Sequence, residues 1–308
     1  MPADAFRRYA ERACEGRLAL WRFGAGVALI LVVWGLVTVV VMTGGAVLNG
    51  AVIGVDPRAA FEAFLASPAG VAAALATFFG MTGGVALALK VADRRSFGSV
   101  LGASGRLSWR DFWRGLAASL IASGLAEIAT FFVDPSLQRS AIGNGAWLLW
   151  LAPLTFLLFV QVSAEELAFR GYLMQSLAAR FKSPLVWAAI PILLFTLLHW
   201  DAQSSPAMKA AMLLSIAAFA ALASVLVVRT GNLGAGIGAH LGLNAFGILF
   251  VSHMSWLSGG ALFESQPLDT GSWSALDAVL VALSAILSFL LMGVLLLHPR
   301  SPLRVGRT

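Results

Sequence analysis

The chain has 308 residues, of which 59% are apolar and only 12% are charged. Its mean hydropathy is +0.86, and soluble domains carry about twice this share of charged residues. The composition therefore excludes a soluble domain and predicts a polytopic membrane protein. A single cysteine, Cys14, excludes an intrachain disulfide.

Eight apolar segments follow one another along the chain, and most approach the ~20 residues that a helix needs to cross a bilayer. They lie near residues 23–43, 69–91, 113–133, 146–164, 184–200, 207–228, 233–251 and 275–297. The connections between them are too short for a separate soluble domain. We therefore expect an all-α polytopic membrane protein with about eight transmembrane helices around an intramembrane cavity, and residues 1–308 as a single membrane domain.

The basic residues predict how the helices are oriented in the membrane. If the N-terminus is cytoplasmic, 18 of the 21 Lys and Arg residues lie on the inner side, leaving Arg58, Arg139 and Lys209 outside. Cytoplasmic loops usually carry such an excess. We therefore expect a multi-pass protein of a bacterial inner membrane with both termini cytoplasmic. The net charge of +6 then reflects topology and contact with anionic lipid, so the lipid bilayer is an expected partner and nucleic acid is not.

Two adjacent carboxylates, Glu165 and Glu166, directly follow the fourth apolar segment. Carboxylates in or beside a bilayer cost several kcal/mol each and commonly mark functional sites. Glu166 and Arg170 are four residues apart in the acid-before-base order that a helix favours. Glu165 is rotated about 100° around the helix and pairs less naturally with Arg170. We therefore expect a structural or electrostatic role for Glu166 and a reactive role for Glu165.

Two histidines lie inside later apolar segments, His199 in the fifth and His240 in the seventh. Asn244 is four residues after His240, so both side chains share one helix face. The opposite side of the same helix carries small residues, as helices do where they approach closely: Gly234, Gly238 and Gly242. The pattern predicts that one face packs while the other presents an imidazole and an amide.

A turn at Ser183-Pro184 brings the first histidine near the glutamates. Glu165 lies 18 residues before Ser183 and His199 lies 16 residues after it. At the rise of an α-helix these are ~27 Å and ~24 Å from the same turn, so we expect both side chains at nearly one level. A Glu beside a neutral His can deprotonate water, and His240 with Asn244 would stabilise the developing oxyanion.

Three motifs occur in the order Glu165-Glu166-x-x-x-Arg170, Phe195-x-x-x-His199 and His240-x-x-x-Asn244. Together they resemble the signature of the CAAX protease and bacteriocin-processing family. The resemblance covers residues 145–251, which would form the catalytic core on helices four, five and seven. It implies an intramembrane endopeptidase for membrane-associated or CAAX-like peptide or protein substrates. In such an enzyme Glu165 with His199 activates water, while His240 and Asn244 form the oxyanion hole.

Three alternatives stay open at this point. Zinc bound by Glu165, His199 and His240 is one, but no H-E-x-x-H pair is present, so metal-free catalysis without a cofactor is favoured. A transporter is the second, although it should show polar residues mirrored between two halves, and none are found. A non-catalytic scaffold is the third. Glu127, inside the third apolar segment, has no predicted partner.

Overall fold

The computed structural model describes residues 2–49, 57–134 and 136–306. Residues 1, 50–56, 135 and 307–308 belong to the predicted single domain but lie outside the described residues. The helices are α1 (Pro2–Glu11), α2 (Leu20–Leu48), α3 (Pro57–Leu65), α4 (Pro68–Asp93), α5 (Trp109–Val133), α6 (Asn144–Ala178), α7 (Leu185–Leu197), α8 (Pro206–Thr230), α9 (Gly234–Phe250) and α10 (Ala275–Leu297). Short 3₁₀ turns cover Arg12–Glu15, Phe97–Val100 and Ser255–Gly260.

All eight predicted apolar segments are helical, which confirms the all-α membrane fold. Within the described ranges, six helices are long and apolar enough to cross a membrane: α2, α4, α5, α6, α8 and α10. The fifth and seventh segments form α7 and α9, which are apolar but shorter. The shorter helix α9 carries His240, and His199 lies two residues after the end of α7.

One end of the bundle gathers α1, the connection 94–108, the turn between α8 and α9, and the C-terminal segment. There the Leu233 backbone N–H donates to the Leu101 carbonyl at 3.0 Å. The Gly306 N–H donates to an Asp111 carboxylate oxygen at 3.4 Å. Since Tyr9 of α1 also contacts the Val100 carbonyl in this region, the first and last described segments lie at the same end of the bundle.

The opposite end carries a small three-stranded sheet. Strand β1 (Gln138–Arg139) pairs antiparallel with β3 (Phe263–Glu264), and β2 (Val251–Ser252) pairs parallel with β3. The connection after α5 is thereby tied to the long connection before α10. The same end holds a contact between Glu127 Oε1 and His253 Nε2 at 3.5 Å, so Glu127 has a partner on that connection.

The start and end of α8 follow local sequence rules. The Ser205 side chain accepts a hydrogen bond from the Met208 N–H at 3.3 Å, and Pro206 occupies the first turn, where its missing N–H costs nothing. Gly231 ends the helix at φ +61°, a conformation that glycine adopts without strain. These signals set the limits of α8, a helix that contributes residues to the candidate site described below.

Helix α6 is much longer than the apolar run 146–164 predicts. It continues for 35 residues through Glu165 and Glu166 to Ala178. Its segment Leu167–Met174 is wound as a π-helix and is fully buried. The polar residues interrupt the hydropathy pattern but not the helix, because neighbouring elements cover them. The turn follows α6 and ends at Ser183-Pro184, where α7 begins, as predicted.

Helices α5 and α9 touch through their backbones. A Cβ added at Gly234, Gly238 or Gly242 would collide with α5 or the residue preceding it: Ser108 oxygen, Phe112 oxygen and Ser119 respectively. On the facing side, a Cβ at Gly115 would meet the Ala235 carbonyl. The predicted small-residue stripe is therefore the packing face of α9, and it turns His240 and Asn244 toward the other side.

Gly238→Ala should destabilise the protein by about 1–3 kcal/mol, because the methyl group overpacks a tight contact. The Phe112 oxygen and Leu116 nitrogen of α5 are backbone atoms that cannot rotate away. The matched control is Gly35→Ala on α2, where nothing lies within 4 Å of the added Cβ. Thermal unfolding of the purified proteins in detergent measures the difference. Equal melting temperatures for the two variants would contradict the close contact.

Candidate active site

Glu165 and Glu166 end the α-helical part of α6, directly before its π-helical segment. π-Helical turns are rare in proteins as a whole, and those that do occur are often found at functional sites. Both carboxylates are enclosed by protein, yet they differ in access: Glu165 is 7% exposed and Glu166 is 0% exposed. Only Glu165 therefore keeps any surface that a small molecule could reach.

Glu166 and Arg170 form a buried ion pair, with Arg170 Nη1 donating to Glu166 Oε1 at 3.0 Å. Arg170 is 1% exposed. Its Nη2 donates to the Ala220 carbonyl of α8 at 3.2 Å, and its guanidinium lies 4.6 Å from the Phe195 ring centroid. A buried pair is costly to desolvate unless further hydrogen bonds complete it. Here α7 and α8 supply the additional contacts.

His240 of α9 lies between the two glutamates. Its Nδ1 is 3.1 Å from Glu166 Oε1, within hydrogen-bond geometry. Its Nε2 is 3.5 Å from Glu165 Oε2, close enough for an ion pair but not a hydrogen bond. Room for this arrangement comes from Gly236, four residues earlier, where an added Cβ would lie 3.2 Å from Glu166 Oε2. One imidazole thus links both carboxylates.

His199 follows the end of α7 and is exposed, with its Nδ1 2.8 Å from the Phe195 carbonyl. The rings of Phe195 and Phe169 pack 5.1 Å apart. Since α6 and α7 run antiparallel, four residues onward from Phe195 and four back from Phe169 bring His199 and Glu165 to one level. This common level along the helix axes agrees with the one expected from the length of the α6–α7 hairpin.

The sequence predicted that Glu165 and His199 act together on one water molecule, an arrangement that needs no direct bond between them. No hydrogen bond or ion pair joins the two side chains among the residues that the structure describes, and Glu165 instead contacts His240. The reason is the rotation of the helices about their axes. The turn length sets the level of a residue, whereas packing decides which neighbour it faces.

Asn244, one turn beyond His240, is oriented by a residue that the sequence analysis missed. Its Nδ2 donates to Gln161 Oε1 at 3.0 Å. Gln161 is 7% exposed and lies four residues before Glu165, on the same face of α6. That spacing is the signal that could have identified it. The bond uses one of the two Asn244 amide hydrogens and leaves the other free.

A cavity of about 170 Å³ connects these side chains. His199, His240 and Asn244 line it, together with Phe195, Ser215, Ile216, Phe219, Leu243 and Phe289. Because a water molecule occupies roughly 30 Å³ in the liquid, there is room for a few waters. Ser215 and Phe219 lie near the middle of α8, whereas His199 is exposed, so the cavity extends from the middle of α8 to the surface of the bundle.

Glu165 is not among the described residues that line this cavity, but it contacts His240, which is. Its Oε2 atom is buried and has no hydrogen-bond partner among the described residues. Buried carboxylate oxygens are normally paired with protein or with ordered water. The unsatisfied atom therefore supports a water molecule beside Glu165.

The zinc set of Glu165, His199 and His240 is not assembled as a metal site. Within the described ranges, no three His, Cys, Asp or Glu side chains are grouped closely enough to hold a metal ion. Glu165 and His240 are neighbours, but His199 is directed to the Phe195 carbonyl. The donor geometry in this conformation does not fit a three-ligand zinc centre.

The N-terminal helix also reaches the site, which the sequence analysis did not predict. The Tyr9 hydroxyl lies 3.2 Å from the Arg170 carbonyl and 2.8 Å from the Val100 carbonyl. Burial raises the pKa of Tyr9 far above its usual range, so the hydroxyl stays protonated and can donate. A π-helix leaves carbonyls with altered partners, and Tyr9 occupies one of them.

Comparison with known proteins finds a family match for one segment of the chain. Residues 146–246 match the model of the Rce1-like family, the type II CAAX prenyl endopeptidases. The matched segment contains Glu165, Glu166, Arg170, His199, His240 and Asn244, and the family resemblance is thereby confirmed. Together with the six membrane-length helices, it makes the chain an integral multi-pass membrane protein.

One curated relative also matches. The uncharacterized protein YyaK of Bacillus subtilis (strain 168) is 27% identical over 181 residues, which are 58% of this chain and 60% of the relative. The match thus spans less than two thirds of the relative's length. No solved structure matches the chain.

Glu166→Gln should destabilise the protein by about 3–5 kcal/mol, because it leaves Arg170 buried without a countercharge. Glu165→Gln should change stability far less, since Glu165 Oε2 makes no hydrogen bond that the substitution would break. Melting temperatures in detergent, measured side by side, separate the two roles. Equal losses for both variants would argue against a structural role specific to Glu166.

Proposed function

We propose that this chain, whose residues 146–246 form an Rce1-like domain of the type II CAAX prenyl endopeptidases, is an intramembrane endopeptidase. Its substrates would be membrane-associated or CAAX-like peptides or proteins. Family membership supports the reaction class. The observation that carries the proposal is the position of His240 between two buried carboxylates, on a cavity shared with His199 and Asn244.

Glu165 is proposed as the general base. Its partial exposure supports a water held beside its unpaired Oε2 atom. Glu166 also has an unpaired Oε2 atom, but it is fully buried and its Oε1 atom already accepts from Arg170 and contacts His240. Proton transfer from water to a carboxylate creates the nucleophile. The water oxygen then forms a bond to the scissile carbonyl carbon, and the carbonyl electron pair becomes an oxyanion.

His199 is proposed to hold the same water from the opposite side. A carbonyl oxygen can only accept, so the bond to Phe195 requires hydrogen on His199 Nδ1. In a neutral ring, Nε2 then keeps a lone pair and can accept from water. The common level of His199 and Glu165 supports one water between them.

His240 and Asn244 are proposed as the oxyanion donors. A carboxylate oxygen can only accept, so the bond to Glu166 requires hydrogen on His240 Nδ1. His240 Nε2, the ring atom beside Glu165, donates to the oxyanion only when the ring carries a second hydrogen, as the imidazolium ion does. Gln161 orients the Asn244 amide and leaves one hydrogen free. Collapse of the tetrahedral intermediate breaks the C–N bond, and the proton held by Glu165 passes to the departing amine. The products are a carboxylic acid, which keeps the second proton of the water, and an amine.

The proposed location is a bacterial inner membrane with both termini in the cytoplasm. The bias of basic residues toward one side supports this orientation, and the shared position of both described chain ends agrees with it. Peptide or protein substrates presented at the bilayer are the proposed partners.

Glu165→Gln should reduce the turnover of a fluorogenic CAAX-like peptide by about 10²–10⁴-fold, the usual value of a positioned general base. Asn244→Ala should reduce it by about 10²–10³-fold. The matched control is Glu127→Gln, which removes a different carboxylate that pairs with His253 away from this cavity. Cleavage assays with purified protein in liposomes measure all forms.

Comparative analysis of peptide termini in cells with the normal or the Glu165→Gln protein would identify the natural substrate. Full activity of the Glu165→Gln protein would contradict the mechanism. Absence of cleavage by every form, together with unchanged peptide termini, would favour a non-catalytic scaffold or a transporter.

Turnover should survive prolonged treatment with a strong zinc chelator if Glu165 acts without a metal, because no protein–metal bond then contributes to the reaction. The assay compares untreated protein, chelated protein and chelated protein supplied again with zinc. Loss of turnover on chelation, with recovery on zinc addition, would replace this mechanism with one based on Glu165, His199 and His240 as ligands.

A further inference from the structure

Phe289 of α10 borders two separate spaces. One is the 170 Å³ cavity that holds His199, His240 and Asn244. The other is an apolar groove of about 540 Å³ between α8 and α10. Phe289 lies outside the family-matched segment 146–246, and among the described residues it is the side chain that lines both spaces.

The groove faces the bilayer. Apart from His298 at one end, its lining residues are apolar or glycine: Ala218, Leu222, Val225, Ile286, Phe289, Leu290, Gly293, Val294 and Leu297. Leu290 and Val294 are 60% and 57% exposed. Exposed apolar side chains on two membrane-length helices are suited to contact with hydrocarbon, so the groove can admit bilayer acyl chains.

The Phe289 ring is held firmly between the two spaces. It is 9% exposed and packs 5.7 Å from the Phe219 ring, measured between centroids. Phe219 in turn packs 4.8 Å from the His240 ring. A continuous series of three rings therefore runs from the bilayer-facing groove to the imidazole between the glutamates.

We propose that the Phe289 ring is the partition that separates bilayer hydrocarbon from the cavity that holds His199, His240 and Asn244, and that it determines which apolar groups reach the site from the membrane. The second half rests on the proposed protease function. Water activation needs a polar, hydrated space, and an acyl chain entering beside His240 would displace that water. The aromatic ring closes the space at its bilayer side without adding a polar group that hydrocarbon would leave unpaired.

The partition is tested by labelling, which does not require catalysis. Ser215 lines the cavity, so Ser215→Cys reports on its contents. The native Cys14 is exposed and free and is replaced by serine. In liposomes, the rates of labelling by a lipid-soluble maleimide and by a charged, water-soluble maleimide are compared. Adding Phe289→Ala should raise the lipid-soluble rate several-fold relative to the charged rate.

The matched control is Leu290→Ala, which enlarges the groove but does not border the cavity. It should leave both labelling rates unchanged. Phe289→Leu serves if the alanine variant does not fold, and it should give an intermediate rise. Equal ratios with and without the Phe289 ring would overturn the proposal, as would a rise in Leu290→Ala as large as in Phe289→Ala.

A second experiment measures substrate specificity. The cleavage rates of two peptides are compared, one that bears a long apolar segment and one that is short and water-soluble. Phe289→Ala should change KM for the apolar peptide several-fold, with little change in kcat, while Leu290→Ala changes neither. If labelling depends on Phe289 but the normal protein cleaves neither peptide, the proposed partition stands and the proposed protease function is wrong. Cleavage without any labelling response would refute the partition alone.

Discussion

The buried charge cluster of Glu166, Arg170 and His240 is the interaction on which the site depends. Glu166 and Arg170 are almost completely withdrawn from solvent, in a bundle whose surroundings are hydrocarbon. Isolated charges there would cost several kcal/mol each. The cost is offset because each group meets an opposite charge or a carbonyl: Arg170 meets Glu166 and the Ala220 carbonyl, and His240 meets Glu166. The cluster thereby links α6, α8 and α9.

This cluster needs α9 to lie very close to α6 on one side and α5 on the other. The glycine stripe against α5 lets the two backbones touch, and close contact between helices is favourable in a membrane, where the hydrophobic effect does not drive association. Gly236 then leaves the volume that Glu166 Oε2 approaches. On one short helix, a stripe of three glycines therefore serves packing on one face, and the single Gly236 makes room for a charged site on the other.

The site is also supported from outside the motif-bearing segment. Tyr9 of α1 donates toward the carbonyl of Arg170 or Val100, and Phe289 of α10 closes the cavity beside Phe219. Neither residue lies within the matched segment 146–246. The first and last helices of the chain thus complete a site whose reactive groups come from α6, the end of α7, and α9.

The sequence alone was sufficient for most features that depend on local spacing or on hydrophobicity, but the apolar run 146–164 did not predict that α6 continues to Ala178. The apolar runs predicted the helices, the i, i+4 relation predicted the Glu166–Arg170 pair and the shared face of His240 and Asn244, and the length of the hairpin predicted the level of His199. The tertiary structure decided which side chains of different helices face each other. Rotation of α7 and α9 about their axes placed His240, rather than His199, against Glu165. Tyr9, Gln161 and Phe289 joined the site through contacts between distant parts of the chain. Such contacts depend on how whole helices pack, and no local pattern records that packing.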